Sequence, residues 1–242
     1  MDFDFTLALT WYFTMVVALT FHEAAHALVG KLGGDLTAFL AGQVSLNPVA
    51  HMRREPFGTI ILPLLSLFLM GYPIGFAHAP YDPYWADAHP KRAALMSAAG
   101  PLSNLLLAAI VFAAMKAGLA SDIFEYPLRG IGVERGPSGM AEVHMLTAAN
   151  GETTGFVYAL AKILPVLFFM NLLLGVFNLL PVPPLDGAGI AEGLLPGTVG
   201  SFYAMLRRDP TISMVGLMVA WYVFPHVWWP VFDGVLNLFV SR

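Results

Sequence analysis

The sequence predicts an all-α protein that crosses a membrane several times. Of its 242 residues, 57% are hydrophobic and only 12% are charged, which is far more apolar than soluble domains are. Several apolar runs approach the roughly 20 residues that a helix needs to cross a bilayer. They cover residues 5–21, 57–76, 93–115, 156–180 and 212–240. We therefore expect one integral-membrane domain over 1–242, with about four to six transmembrane helices, a core at 5–196 and C-terminal helices at 211–240.

The first run predicts a membrane helix that is retained rather than cleaved. Asp2 and Asp4 precede it, whereas a signal peptide begins with a basic segment and ends at a small-residue cleavage site. The following stretch, "GKLGGDLTAFLAGQVSLNPVAHMRREP", is rich in glycine and lacks the apolar spacing of a spanning helix. We expect turns and short strands there, at the membrane surface.

The later runs differ in how well they suit a regular helix. Pro63, Gly71 and Pro73 interrupt the second run, so its backbone hydrogen-bond ladder is expected to be broken. The third run is rich in small residues, which favour close helix packing, and residues 119–155 are expected to form an aqueous loop. The last run is interrupted at "FPHVWWP", which predicts either a helical hairpin turn or an interfacial belt of tryptophans.

A His-Glu-x-x-His motif in the first run indicates a metal site. On a helix, His22 and His26 lie one turn apart on the same face, so both imidazoles can bind one zinc ion while Glu23 serves as a general base. The alternative is a chance pattern or a buried hydrogen-bond network. However, a charged group at the centre of a membrane costs at least about 2.5–3.5 kcal/mol, so these three residues need a specific reason to be there. Because the chain has no cysteine, the metal must be held by nitrogen and oxygen ligands.

A catalytic zinc site needs a third protein ligand and an open position for water. Asp186 is the strongest candidate, because "PVPPLDG" unwinds the chain at the end of an apolar run and leaves a short carboxylate free to turn inwards. Its alternative role is the N-cap of a helix that begins at Gly187. His51 is the second candidate, although a surface histidine is its more ordinary role.

Taken together, four stretches of this sequence resemble the site-2 protease family of intramembrane zinc metalloproteases. These are "FHEAAHALVG", "SLNPVAHMRREPFGTIILPLL", "AAGPLSNLLLA" and "NLLPVPPLDG", which occur in the family's order. The resemblance is to a minimal form of the family, without the PDZ and CBS modules that some members carry. It implies one zinc ion per chain and an active site near the cytoplasmic face of a prokaryotic cell membrane.

The resemblance also implies roles for individual residues. His22, His26 and Asp186 would be the zinc ligands and Glu23 the general base, while Asn104 and Asn178 would position the substrate or its oxyanion. One departure concerns His78, which replaces a lysine that many relatives have in the segment corresponding to "GYPIGFAHAPYDP".

Shared binding of one metal also constrains the topology. His26 and Asp186 must lie at the same membrane depth, so the chain must cross an even number of times between them. Three apolar runs intervene, and the run at 57–76 is the least helical. We therefore expect 57–76 to be a re-entrant or surface segment packed against protein. One face of the membrane would then carry a group of basic residues, expected to be cytoplasmic: Lys31, Arg53, Arg54, Lys91, Arg92, Arg207 and Arg208.

The leading hypothesis is a zinc endopeptidase that cleaves the membrane-spanning or membrane-proximal helices of other proteins. Its partners would be a transmembrane protein substrate and membrane lipid. The substrate would be held extended along the "GQVSLN" region. A net charge of −4 without a dense basic patch argues against nucleic-acid binding. The alternatives are a catalytically inactive zinc-binding relative and an ion transporter, but a transporter requires polar sites leading to both faces.

Overall fold

The computed structural model describes residues 3–128, 130–195 and 197–241. In these ranges, four helices are long and apolar enough to cross a membrane. This confirms the all-α polytopic class. The four helices are α1 (Phe5–Gly33), α6 (Pro90–Ala120), α7 (Gly155–Asn178) and α10 (Pro210–Val240).

The remaining elements are short. The additional helices are α2 (Thr37–Leu40), α3 (Pro48–Arg54), α4 (Leu62–Met70), α5 (Pro83–Ala88), α8 (Asp186–Leu194) and α9 (Gly197–Arg208), with a π-helical turn at Phe57–Ile61 and a 3₁₀ turn at Ala149–Gly151. The strands form two antiparallel pairs: β1 (Phe124–Glu125) with β4 (Thr147–Ala148), and β2 (Gly132–Arg135) with β3 (Ala141–His144).

Helix α1 is capped at both ends, and its C-terminal end is hydrogen-bonded to the start of α6. The carboxylate of Asp4 accepts a hydrogen bond from the Leu7 amide at 2.9 Å, and Gly34 ends the helix with φ 100°, a left-handed conformation that favours glycine. The carbonyl of Gly33 accepts hydrogen bonds from Trp85 and from Arg92 near the start of α6. We call this end of the bundle, at Gly33 and Pro90, the inner end, and the opposite end, at Phe5 and Ala120, the outer end.

Residues 57–76 form a re-entrant hairpin. After the π-helical turn and α4, the chain reverses at Gly71, which has φ 84°, and returns extended. The amide of Phe76 donates to the carbonyl of Gly58 at 3.0 Å, so the two ends of the segment lie side by side. This shape agrees with the prediction that the run does not cross. Two helices suited to crossing, α6 and α7, then lie between His26 and Asp186, which satisfies the even-crossing requirement.

The prediction of strands soon after the first helix was wrong. Residues 34–56 form turns and the short helices α2 and α3, and the strands of the described chain lie between α6 and α7. Local capping explains the helices. The side chain of Asn47 accepts a hydrogen bond from the amide of Val49 at 3.1 Å, directly before a proline at the first helical position, which is a favourable helix start.

The last apolar run is one helix rather than a hairpin. Helix α10 continues through Pro225 and Pro230, as membrane helices can when neighbouring groups compensate for the lost hydrogen bonds. Trp228 does not belong to an interfacial belt. It is buried, and its ring contacts Phe169 of α7 and Phe232, so part of the predicted turn sequence packs in the core.

The hairpin leads to a prediction about sidedness. Arg54→Cys and Asp87→Cys should be labelled by a membrane-impermeant thiol reagent from the same face, and Glu134→Cys from the opposite face, because the chain reverses within 57–76 whereas α6 is long and apolar enough to cross. All three positions are exposed, and the chain has no native cysteine to give background labelling. Labelling of the Arg54 and Asp87 positions from opposite faces would contradict the hairpin topology.

Candidate metal centre

The His-Glu-x-x-His motif lies on the inner half of α1 and is buried. His22, Glu23 and His26 are each at most 6% exposed. The two imidazoles lie one turn apart on the same face of the helix, and their Nε2 atoms are 3.0 Å apart. The spacing of the motif therefore brings the two nitrogens to one point, as predicted.

Asp186 reaches the same point from the other side. The chain leaves α7 after Asn178, unwinds through the proline-rich stretch, and enters α8 at Asp186. The Oδ2 atom of Asp186 is 3.1 Å from Nε2 of His22 and 3.3 Å from Nε2 of His26. The alternative N-cap role is not supported, because Leu185 is the N-cap of α8 and no side-chain capping bond is present.

The Nδ1 atom of each imidazole makes a hydrogen bond away from the cluster, and this bond determines whether Nε2 has a free lone pair. Nδ1 of His26 donates to the carbonyl of Met96 at 2.7 Å, and Nδ1 of His22 lies 2.6 Å from Oδ1 of Asn104. With both Nδ1 atoms donating, both Nε2 atoms present lone pairs to each other and to the carboxylate of Asp186. Such a convergence is repulsive without a cation and favourable with one.

The spacing of these atoms suits zinc. Ligand atoms about 2.0–2.1 Å from a tetrahedral zinc lie roughly 3.3–3.4 Å from one another, and the three atoms here are 3.0–3.3 Å apart. An ionised carboxylate and two neutral imidazoles form a donor set that fits zinc.

Glu23 faces a cavity beside this cluster. Its Oε2 atom is buried and has no hydrogen-bond partner among the described residues. The cavity has a volume of about 750 Å³. Its walls include the cluster itself, the extended segment at 77–79, and small residues of α9 such as Gly200 and Ala204. The arrangement therefore combines a candidate metal site, a carboxylate with one unpaired oxygen and space for a bound peptide.

Gly100 of α6 is a site residue that the sequence reasoning missed. A Cβ atom at this position would lie 2.3 Å from Nε2 of His26 and 2.6 Å from Nε2 of His22, so only glycine lets α6 pass the cluster this closely. The signal was present in the "AAGPLSN" stretch, but a glycine within a small-residue run cannot be assigned to a site without its neighbours.

The close approach of α6 yields a stringent prediction. Gly100→Ala should prevent zinc binding, because the added methyl group occupies the space between the two imidazoles. Ser103→Ala, on the same helix with its hydroxyl bonded to the Gly100 carbonyl, serves as a matched control and should retain zinc. Metal content would be measured on both purified proteins. Full zinc occupancy in Gly100→Ala would mean that the metal lies elsewhere.

The two predicted asparagines occupy different places. Asn178 lines the cavity, and its amide donates to the Leu174 carbonyl. Asn104 instead lies behind His22, is 0% exposed, and uses its side chain in bonds to His22, Ala18 and Asn171. The expectation that Asn104 positions the substrate is therefore not supported by its location. Its contacts fit the orientation of His22.

His51 does not join the metal cluster. It lies in α3, and its Nε2 atom donates to the carbonyl of Ser45 at 2.8 Å. Its side chain is nevertheless buried, at 3% exposure, so the expectation of a surface histidine was wrong. It fixes the turn before α3 instead.

Comparison with known protein families shows to which family the chain belongs. The family model described as "Peptidase family M50" matches residues 10–223, which include the whole cluster. The chain belongs to peptidase family M50. This is the site-2 protease family that the motifs indicated.

Relatives of this M50 member carry names of the same kind. The chain is 33% identical to "Putative zinc metalloprotease YwhC" of Bacillus subtilis, over 93% of this chain and 89% of that protein. It is 26% identical to "Putative zinc metalloprotease Rip2" of Mycolicibacterium smegmatis, over 93% of this chain and 74% of that protein. No solved structure matches. Together with the four long apolar helices, these relatives identify a membrane metalloprotease at the level of the family.

Helix α10 supports the segment that carries Asp186 in this M50 member. A Cβ atom on Gly216 would lie 2.1 Å from the carbonyl oxygen of Pro183, so the helix touches the unwound backbone directly. One turn later, Ala220 is fully buried in a cluster with Leu180 and Leu185. The C-terminal helix therefore holds the third candidate ligand in place.

Proposed function

We propose that this chain is a zinc endopeptidase of the site-2 protease type, which hydrolyses peptide bonds in or near the transmembrane segments of other membrane proteins. The observation that carries the proposal is the convergence of His22, His26 and Asp186, next in sequence and in the cavity wall to Glu23, whose Oε2 atom has no hydrogen-bond partner among the described residues. The inactive-relative alternative would be expected to lack one of these four residues, and all four are present.

Each of these side chains has a specific role in the proposed reaction. His22, His26 and Asp186 would hold zinc, which when bound makes water more acidic and polarises a peptide carbonyl. Glu23 accepts the proton of the attacking water and then delivers it to the leaving amine. Its Oε2 atom has no hydrogen-bond partner among the described residues, so no protein group competes for this oxygen.

The extended segment after the hairpin is the best support for a bound substrate. Residues 77–79 line the cavity and belong to no helix or strand, so an unwound peptide can pair with them as an added strand. This replaces the earlier expectation of pairing along 42–47, which lies outside the residues lining the cavity. Asn178, on the cavity wall, is proposed to position the substrate carbonyl.

His78 closes the base of the hairpin beside this segment. Its Nδ1 atom is 2.9 Å from the carboxylate of Glu55, so this contact joins the residues just before and just after the re-entrant segment. We propose that the pair steadies the substrate-binding segment, a task for which histidine can replace the lysine expected from relatives.

The distribution of charge supports an orientation. Lys31, Arg53, Arg54, Lys91 and Arg92 lie in or next to the elements at the inner end, and basic residues favour the cytoplasmic side. We propose that the cluster, which lies on the inner half of α1, works near the cytoplasmic face of a prokaryotic membrane. Cleavage would then release the cytoplasmic part of a substrate.

The function can be tested with purified protein in detergent and in liposomes. We expect about one zinc per chain and cleavage of single-span membrane peptides within or beside their apolar segment, located by mass spectrometry of the products. Removal of the metal with a chelator should stop cleavage, and added zinc should restore it. A zinc-loaded, folded protein that leaves every member of a broad panel of such peptides intact would contradict the proposal.

A further inference from the structure

Asn171 is a fully buried polar residue in α7 that the proposed reaction does not use. Its side chain is 0% exposed, as is that of Asn104 on α6. Nδ2 of Asn104 donates to Oδ1 of Asn171 at 2.9 Å, and Nδ2 of Asn171 donates to the carbonyl of Leu167 at 2.9 Å. Because buried polar groups are generally hydrogen-bonded, these partners restrict the orientation of the Asn171 amide.

The direction of these hydrogen bonds is determined by two backbone carbonyls. The Leu167 carbonyl can only accept, so Asn171 must turn its NH₂ group to Leu167 and its Oδ1 to Asn104. The carbonyl of Ala18 accepts the second hydrogen of Asn104 Nδ2, at 3.0 Å. Both donors of Asn104 are thereby used, and only its Oδ1 is left to face His22.

This direction determines the tautomer of His22. An amide oxygen only accepts, so Nδ1 of His22 must carry the hydrogen and Nε2 must present its lone pair to the cluster. If Asn104 turned round, its NH₂ group would face Nδ1 and the imidazole hydrogen would move to Nε2, where it would point at Asp186 and His26. That tautomer cannot bind a metal at this position.

We propose that Asn171 is a positioning residue, which together with the Ala18 carbonyl fixes the orientation of Asn104 and through it the zinc-binding tautomer of His22. The inference rests on the proposed function in that it takes His22 to be a ligand. Asn171 lies in the first helix of a relay that runs from α7 through α6 to α1, and it belongs neither to the metal cluster nor to the cavity wall. Its effect must therefore pass through Asn104.

A double-mutant cycle on zinc affinity tests this relay. The dissociation constant for zinc would be measured by competition with a chromophoric chelator for wild type, Asn171→Leu, Asn104→Leu and the double variant. We expect Asn171→Leu to weaken zinc binding about tenfold, in the range typical of groups that orient a ligand. In the Asn104→Leu background the same change should weaken binding by less than about twofold, because the group it orients is gone.

Further variants separate this role from a general loss of stability. Asn171→Ala removes the amide without adding bulk, so it covers the case in which leucine does not fit between the helices. Thr14→Val, which removes another fully buried hydrogen-bonding group of α1, should leave zinc affinity unchanged. The melting temperature of each metal-free protein shows that the fold is retained.

Two results would overturn the inference. One is unchanged zinc affinity in both Asn171→Leu and Asn171→Ala, and the other is an equal loss in the presence and absence of Asn104. A wild-type protein that binds zinc tightly but cleaves no peptide would count against the proposed function alone. An active enzyme whose zinc affinity is unchanged by both Asn171→Leu and Asn171→Ala would count against this inference alone.

Discussion

Glu23→Gln is expected to keep zinc in the protein and abolish peptide cleavage. The glutamine has nearly the same shape and leaves His22, His26 and Asp186 in place, but it cannot accept a proton from water. Loss of a general base typically lowers the rate by about 10²–10⁴-fold. Zinc content and the turnover of a cleavable membrane peptide would be measured on the same preparation.

A matched control distinguishes this effect from the loss of any negative charge. Glu152→Gln makes the same chemical change at an exposed position in the loop before α7, and it should retain full activity. Substantial turnover by Glu23→Gln would show that another group takes the proton. Loss of zinc from Glu23→Gln would show instead that Glu23 holds the metal.

Asp186→Ala is expected to remove most of the bound zinc. The substitution leaves two imidazoles whose Nε2 atoms are 3.0 Å apart, and two protein ligands do not make a stable zinc site. Affinity should fall by at least about 100-fold, because the loss of groups that merely orient a ligand already costs about 10–100-fold. Zinc content after dialysis against a weak chelator would be the measurement.

His51→Ala is the matched control for the third ligand. His51 is as buried as the cluster histidines but lies in α3, outside the metal cluster, so its variant should bind zinc nearly as wild type does. If occupancy fell for His51→Ala and held for Asp186→Ala, the ligand assignment would be wrong.

The sequence predicted those parts of the fold and of the site in which a local pattern leaves few choices. Two histidines four residues apart must share a helical face, and an acidic residue in a proline-rich break must leave the helix. The hairpin at 57–76 followed from a counting argument together with Pro63, Gly71 and Pro73. In each case the chemistry within one short segment was sufficient.

The parts that could not be predicted depend on contacts between distant segments. Asn104 was expected at the substrate, because nothing in its own segment shows that it packs behind His22, 82 positions earlier in the chain. Gly100 matters only because α6 passes the two imidazoles. The strands expected at 42–47 are turns instead, and the N-cap at Asn47 starts α3 directly after them.

The wide separation of the candidate ligands along the chain has a consequence for biosynthesis. The first two ligands leave the ribosome with α1, but Asp186 follows His26 by 160 positions and comes after two further helices suited to crossing. A growing chain therefore carries an incomplete binding site for most of its synthesis, and Asp186 gains its support only when α10 arrives. We expect nascent and truncated chains to be inert towards neighbouring membrane proteins, because hydrolytic competence is acquired last.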